Sequence, residues 1–94
     1  MTPTATASTS VRAQVITELV TMEPRLREQP LEDHVTMPDL ALDSLKLVEL
    51  GCRIEDSFGA RIDFDSWVDH ERAKAQGAFS LGSLVAFVEK ATAR

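Results

Sequence analysis

The chain has 94 residues, which suits one small domain, and 44% of them are hydrophobic, enough for a compact core. Ten Lys and Arg against 15 Asp and Glu give a formal net charge of -5, which argues against nucleic-acid binding because phosphates require a basic surface. No apolar run approaches the length of a membrane span, so no membrane contact is expected. A single cysteine, Cys52, excludes an internal disulfide framework and is typical of a reducing cytoplasm.

The N-terminus is rich in Thr, Ala and Ser and lacks the charged start and apolar centre of a secretory signal. This composition predicts a disordered tail over residues 1–9 and a single domain over residues 10–94. The first helix is expected over residues 11–22, capped by Ser10 and ended by Pro24. Its apolar side chains recur at helical spacing, at Val15, Ile16, Leu19 and Met22.

Residues 23–43 form a long connection that cannot be one helix, because prolines interrupt it at positions 24, 30 and 38. Loops of this length are uncommon in compact domains and are usually functional. We expect this loop to be irregular but ordered, because several apolar side chains can hold it against the core. These side chains are Leu26, Leu31, Val35, Met37, Leu40 and Leu42.

The strongest predicted helix spans residues 44–58 and opens at the sequence Asp43-Ser44-Leu45. Asp43 is a good N-cap, because its carboxylate can accept hydrogen bonds from the free backbone N–H groups of the first turn. Ser44 falls on that turn, where the helix dipole and the unpaired N–H groups favour an attached phosphate. Gly59 supplies a left-handed C-terminal cap.

This second helix is expected to carry two apolar stripes. The core stripe consists of Leu47, Leu50, Ile54 and Phe58. The other stripe consists of Leu45, Val48 and Cys52, and the acids flanking it are Glu49, Glu55 and Asp56. A helix that needed only a core face would not require the second stripe.

Two further helices complete the predicted fold. The third is expected to be capped by Asp65 or Ser66, to end near Gln76, and to be anchored in the core by Trp67. The last is expected over residues 80–92, with an inward face formed by Leu81, Leu84, Val85 and Val88 and partly by Phe87. No segment alternates with period two, so the fold class is all-α, a bundle of three long helices and one short helix.

The sequence Asp43-Ser44-Leu45, which follows a long loop and opens a helix that Phe58-Gly59 closes, resembles the signature of acyl and peptidyl carrier proteins, a phosphopantetheine-binding family. The resemblance implies an acyl-carrier-protein-like bundle and no enzymatic activity. It implies that a phosphopantetheinyl transferase moves 4′-phosphopantetheine from coenzyme A to Ser44, and that the arm's thiol then holds substrate as a thioester. From the three residues alone, an Asp-capped helix start with an inert Ser44 remains open.

The resemblance also implies a partner-docking surface on the second helix. Asp43, besides capping the helix, is implied to help place the metal during transferase action. The implied docking residues are Leu45, Val48, Glu49, Cys52 and Asp56.

The docking residues also have ordinary structural interpretations. Leu45 and Val48 could contact the neighbouring loop or the third helix, and Cys52 could be a small buried hydrophobe. Glu49 could pair with Arg53, four residues further along the helix. Docking is the interpretation that we favour for Leu45 and Val48.

Several features differ from carriers of fatty-acid synthesis. Ala41 replaces the glycine of the usual Gly-Leu-Asp-Ser-Leu, Lys46 stands where those carriers usually have an acid, and Arg53 adds another positive charge. The stretch from Phe58 to Ser80 is also longer than in compact fatty-acid carriers. These differences imply a carrier that serves a polyketide or nonribosomal-peptide pathway. We expect it to act as a stand-alone protein and as a monomer. Its partners would be an adenylating or acyl-loading enzyme and an acyltransferase or ketosynthase.

Three alternatives stay open at this point. A fatty-acid carrier or a D-alanyl carrier lies within the same class, and an unmodified helical adaptor belongs to a different class. An enzyme is the weakest interpretation, because no nucleophile–base pair or metal site can be assembled from the sequence. His34 and His70 stand outside any metal-ligand spacing and are expected to be solvent-exposed.

Overall fold

The computed structural model describes the backbone of residues 7–93 and the side chains of residues 11–93. Four α-helices occur in this part of the chain: α1 Ala7–Met22, α2 Ser44–Phe58, α3 Phe64–Arg72 and α4 Leu81–Thr92. Within the same residues there is no strand, only one isolated antiparallel bridge between Thr36 and Ser80. The predicted all-α bundle of three long helices and one short helix is therefore confirmed. None of the described helices is long and apolar enough to cross a membrane.

Helix α1 begins earlier than the sequence predicts. It starts at Ala7, so Ser10 lies inside the helix and the prediction of Ser10 as its cap is wrong. Alanine favours helix and no proline stands just before Ser10, so nothing in the local sequence stops the helix there. Residues 7–9 of the expected tail are helical, and residues 1–6 lie outside the described residues. The single domain over residues 10–94 stays a prediction.

The core is formed by apolar side chains from the helices and from the loop before α2. Helix α1 contributes three buried residues at four-residue spacing, Val11, Val15 and Leu19. Helix α4 contributes the side chains that the sequence predicts, Leu81, Leu84, Val85 and Val88. The other predicted positions on these two helices are partly buried, namely Ile16, Met22 and Phe87.

The loop at residues 23–43 is irregular but ordered, as predicted. It contains two short 3-10 helices, Pro24–Glu28 and Pro38–Leu40. Its predicted apolar residues all face the core: Leu26, Met37, Leu40 and Leu42 are buried, and Leu31 and Val35 are partly buried. A backbone hydrogen bond from Met37 N to Phe79 O, at 2.8 Å, fixes the loop against the start of α4.

Helix α3 differs from its prediction at both ends. Its N-cap is Asp63, whose carboxylate accepts a hydrogen bond from Ser66 N at 3.2 Å. The predicted cap at Asp65 or Ser66 is therefore wrong. The helix ends at Arg72 and not near Gln76, so it is shorter than predicted.

The register of α3 is set by two buried side chains one turn apart. Trp67 is 4% exposed and is the core anchor that the sequence predicts, and its indole N–H donates to Ser83 Oγ at 3.0 Å. Glu71 lies in a segment composed mostly of polar residues, yet its side chain is completely buried. Because Trp67 and Glu71 are four residues apart in the helix, their side chains fall on the same inward face.

The buried Glu71 carboxylate accepts hydrogen bonds from three donors. Oε1 accepts from Phe79 N at 2.8 Å, and Oε2 accepts from Ser83 Oγ and from Lys74 Nζ, both at 2.7 Å. Burial alone would raise the pKa of Glu71, but these hydrogen bonds and the charge of Lys74 outweigh it and lower the pKa. The ionised carboxylate therefore ties the residues after α3 to the start of α4.

We predict that Glu71→Gln destabilises the protein by about 2 kcal/mol, because the amide has one acceptor oxygen and no charge and cannot accept from Phe79, Ser83 and Lys74 together. Since the folded pKa of Glu71 is depressed, its stabilisation is present above the ordinary value of 4.5 and is lost as the pH falls through the folded pKa. Urea unfolding followed by circular dichroism, at neutral and at stepwise lower pH, measures both effects. The matched control is Glu32→Gln, a side chain 64% exposed, which should change stability by less than about 0.5 kcal/mol. Equal losses in the two variants would contradict the prediction.

Candidate functional site

Helix α2 starts directly after Asp43, an N-cap residue with an extended backbone. Asp43 has φ -87° and ψ -175°, and its Oδ1 accepts from Lys46 N at 3.0 Å. The prediction that Asp43 caps this helix is therefore confirmed. Ser44 is the first helical residue and is exposed. The predicted left-handed cap at Gly59, with φ 63°, is also confirmed.

The turn before Asp43 contains a left-handed residue that is not glycine. Ala41 has φ 60° and ψ 37°, and its N–H donates to Pro38 O at 2.9 Å. The buried side chains of Leu40 and Leu42 hold this conformation from both sides. Ala41 thus adopts a backbone that glycine would adopt freely, at a cost of about 1 kcal/mol.

Helix α2 presents the two predicted apolar stripes. On the core stripe, Leu50 and Ile54 are buried, and Leu47 and Phe58 are partly buried. On the second stripe, Leu45 is 79% exposed, Val48 is 64% exposed and Cys52 is exposed. These three residues, called the exposed stripe below, are therefore not buried against the neighbouring loop or α3. Their role in docking stays a prediction.

Gly51 allows the residues after α2 to pack closely against that helix. It is buried, and a Cβ at this position would lie 3.1 Å from Cδ2 of Phe64. The Phe64 ring also packs on Phe87, with ring centroids 5.9 Å apart. The sequence analysis missed Gly51, although a glycine inside a strongly predicted helix is a signal of such close packing.

Both basic residues of α2 are paired with acids. Lys46 Nζ lies 2.5 Å from Glu23 Oε2, and this hydrogen bond lowers the pKa of Glu23 and raises the pKa of Lys46. Arg53 Nε lies 3.4 Å from Glu49 Oε2, so the predicted pair four residues apart is confirmed. Arg53 Nη1 also lies 3.8 Å from Glu18 on α1. The positive charges of α2 are therefore partly offset before any partner approaches.

The other polar residues that the sequence analysis singles out lie at the surface. Asp56 is exposed near the end of α2. His34 and His70 are both exposed, as predicted. Neither histidine lies at the start of α2, so the site at Ser44 is built without an imidazole.

A cavity of about 280 Å3 lies between α2 and α3, and the exposed Ser44 is among the residues that line it. Deeper in the cavity the walls are apolar and include Leu50 and Trp67. Phe79, held at φ 62°, contributes another wall, and its ring meets the Trp67 ring edge-on with centroids 5.5 Å apart. The site therefore combines an exposed hydroxyl with an apolar recess beside it.

A family model described as phosphopantetheine attachment site matches residues 14–78, which is more than half of the chain and includes Ser44. The chain belongs to this family. It is therefore a carrier that bears a 4′-phosphopantetheine group, and the carriers of this family are themselves non-catalytic. Comparisons with characterised proteins and with solved structures gave no match.

The start of α2 fits the phosphate of such a group. Backbone N–H groups in the first turn of a helix have no intrahelical acceptor, and the Asp43 carboxylate accepts only that of Lys46. The positive end of the helix dipole also lies here, so an anion next to Ser44 is favoured. When bound, the group supplies a thiol on a flexible arm. At the start of α2 the carrier has an exposed hydroxyl, that of Ser44, and electrostatics that favour a phosphate.

We predict that Val48→Asp changes the free energy of unfolding of the carrier by less than about 0.5 kcal/mol, because its side chain is 64% exposed. The matched control is Ile54→Asp on the core stripe, which is 0% exposed and should lose several kcal/mol because a charge would be buried. Thermal melts followed by circular dichroism compare the two. A severe loss in Val48→Asp would place Val48 in the core and rule out a docking role.

Proposed function

We propose that Ser44 is the residue to which the 4′-phosphopantetheine arm is attached, and that the carrier presents substrate as a thioester on that arm. The observation that supports this most is the exposed hydroxyl at the first residue of α2, within Asp43-Ser44-Leu45 and within the matched segment. An exposed hydroxyl is accessible to a transferase without unfolding of the helix. The first-turn N–H groups next to it favour the phosphate that would be attached.

The other serines with described side chains are less suited to this role. Ser80 caps α4, and its hydroxyl accepts from Ser83 N at 3.1 Å. Ser83 donates to the buried carboxylate of Glu71. Ser57 is partly buried, which leaves Ser66, an exposed serine in the first turn of α3, as the nearest structural counterpart of Ser44.

We predict that Ser44→Ala abolishes modification, because among the residues with described side chains only Ser44 places an exposed hydroxyl at the first residue of a helix and within Asp43-Ser44-Leu45. The protein is incubated with coenzyme A and a broad-specificity phosphopantetheinyl transferase, and its intact mass is measured. Ser66→Ala, the matched control, should gain the mass of one phosphopantetheine group as the unchanged chain does. Both variants should keep the helical circular dichroism. Modification that persists in Ser44→Ala would refute the attachment site.

We propose that biosynthetic enzymes dock on the exposed stripe and on the acids beside it. Leu45 and Val48 offer apolar area next to Ser44, and Cys52 extends that area along the helix. Glu49 and Asp56 add negative charge, which steers encounter with basic patches of partner enzymes. A partner bound on this face would meet the arm where it leaves Ser44.

We infer that the pathway is polyketide or nonribosomal-peptide assembly, with a fatty-acid or D-alanyl pathway as the alternative. Lys46 and Arg53 interrupt the acids of α2, although each is paired with an acid. The stretch over residues 59–79, which lies between α2 and α4, adds further support, because it is longer than in compact fatty-acid carriers. The implied partners are the transferase, an adenylating or acyl-loading enzyme, and an acyltransferase or ketosynthase. Membership of a family of modified carriers favours these partners over those of an unmodified adaptor.

We predict that the modified carrier is loaded by adenylating or acyl-loading enzymes encoded near it and is a poor substrate for fatty-acid elongation enzymes. The physical reason is that docking depends on complementary charge. Fatty-acid elongation enzymes are expected to have basic patches that complement a fully acidic helix, and the bases within the acidic face of α2 weaken the encounter with such patches. Loading by each group of enzymes is measured by the intact mass of the carrier, with Ser44→Ala as the control for non-specific acylation. Efficient turnover by the elongation enzymes alone would assign the carrier to fatty-acid synthesis.

A further inference from the structure

A chain of ionic contacts joins three segments around Ser44. Glu23 directly follows α1, and its carboxylate accepts two hydrogen bonds. Oε2 accepts from Lys46 Nζ at 2.5 Å, and Oε1 accepts from Arg25 Nε at 3.2 Å. Arg25 Nη2 in turn donates to Leu40 O at 2.7 Å. The end of α1, the loop before Ser44 and the first turn of α2 are therefore linked through one carboxylate.

The contact with Leu40 stabilises the strained part of the loop. Leu40 ends a 3-10 helix, and its carbonyl stands directly before Ala41, which has a left-handed backbone. The guanidinium of Arg25, near the start of the loop, binds this carbonyl, and Glu23 holds the guanidinium in place. The conformation of the end of the loop, which leads to Asp43 and Ser44, therefore depends on residues at its start.

The contact with Glu23 partly offsets the positive charge of Lys46 beside the docking face. The side chain of Glu23 is 16% exposed, and that of Lys46 is 42% exposed, so the lysine lies back against the end of α1. Lys46 is two residues from Ser44 and is the base of α2 nearest to it in the sequence. Paired with Glu23, it acts as an internal contact of the carrier.

We propose that Glu23 is a positioning residue for the modification of Ser44. Through Lys46 it fixes the first turn of α2, and through Arg25 it fixes the turn at Ala41. This proposal rests on Ser44 being the attachment residue. Ion pairs whose bases are as solvent-exposed as Lys46 and Arg25 contribute little to global stability. We therefore expect that the loss of Glu23 lowers the fraction of molecules whose loop has the conformation that the transferase binds, without unfolding the protein.

The first test measures transferase kinetics with Glu23→Gln at saturating coenzyme A. If only a fraction of the variant has the competent loop, the apparent affinity falls by that fraction, and we expect KM to rise about threefold to tenfold with little change in kcat. The matched control is Glu18→Gln. Like Glu23, Glu18 is paired with a base of α2 and has a mostly buried side chain, 19% exposed. It lies within α1 and contacts Arg53, away from the loop. The KM of Glu18→Gln should equal that of the unchanged chain. If the KM of Glu23→Gln is also unchanged, the proposal is overturned.

A double-mutant cycle with Lys46→Gln separates positioning from direct contact with the transferase. If Glu23 acts through Lys46, each single variant raises KM and the double variant is little worse than the poorer single variant, because the contact is already broken. If Lys46 touches the transferase independently of Glu23, the two effects multiply. Multiplying effects would overturn the positioning role.

Hydrogen exchange of the unmodified protein tests the same role without the transferase. Glu23→Gln should speed exchange at Ala41 N, which donates to Pro38 O, and at Lys46 N, which donates to the Asp43 carboxylate. Amides in the middle of α4 should keep their protection in this variant and in Glu18→Gln. If the unchanged chain is not modified at Ser44, the attachment proposal fails while the exchange result still decides the role of Glu23. Exchange that is unchanged at both amides would overturn that role.

Discussion

The arrangement of the bundle depends on one buried carboxylate. All the donors to Glu71 lie after it in the chain, in the residues that leave α3 and begin α4. The carbonyl of Phe79, whose N–H donates to Glu71, accepts the N–H of Met37, so the same point holds the loop that leads to Ser44. A buried ion without partners would be strongly destabilising, so these segments must assemble together. The start of α2 is therefore fixed from the far end of the bundle as well as by its own cap.

Helix α2 uses separate faces for separate tasks. Leu50 and Ile54 hold it in the core, whereas Leu45 and Val48 on the other side contribute almost nothing to folding. Lys46 contacts Glu23, just after α1, and Arg53 contacts Glu18, within α1. These contacts fix the rotation of α2 about its axis without using the exposed stripe. A carrier needs this separation, because the face that meets successive enzymes must not also be the face that stabilises the fold.

The sequence predicts those features that are encoded locally. The bounds of α2 follow from Asp43 and Gly59, and its two stripes follow from helical periodicity. The register of α3 could not be predicted in this way, because the partners of Glu71 lie up to twelve residues away and meet only in the folded bundle. The pair between Lys46 and Glu23 spans 23 residues, so the sequence gives the charge of Lys46 but not its direction. Local signals thus locate Ser44, whereas the electrostatics around it depend on tertiary structure.

The position of Trp67 makes its fluorescence sensitive to the interior of the bundle. It is the single tryptophan of the chain. Its indole N–H donates a hydrogen bond to the Ser83 hydroxyl, which in turn donates to Glu71. Its ring forms part of the wall of the cavity that Ser44 lines. Water or an apolar group entering this space changes the polarity around the ring, so the emission wavelength follows the contents of the cavity. Tryptophan emission therefore tests, without an attached dye, whether a group carried on the arm enters the cavity.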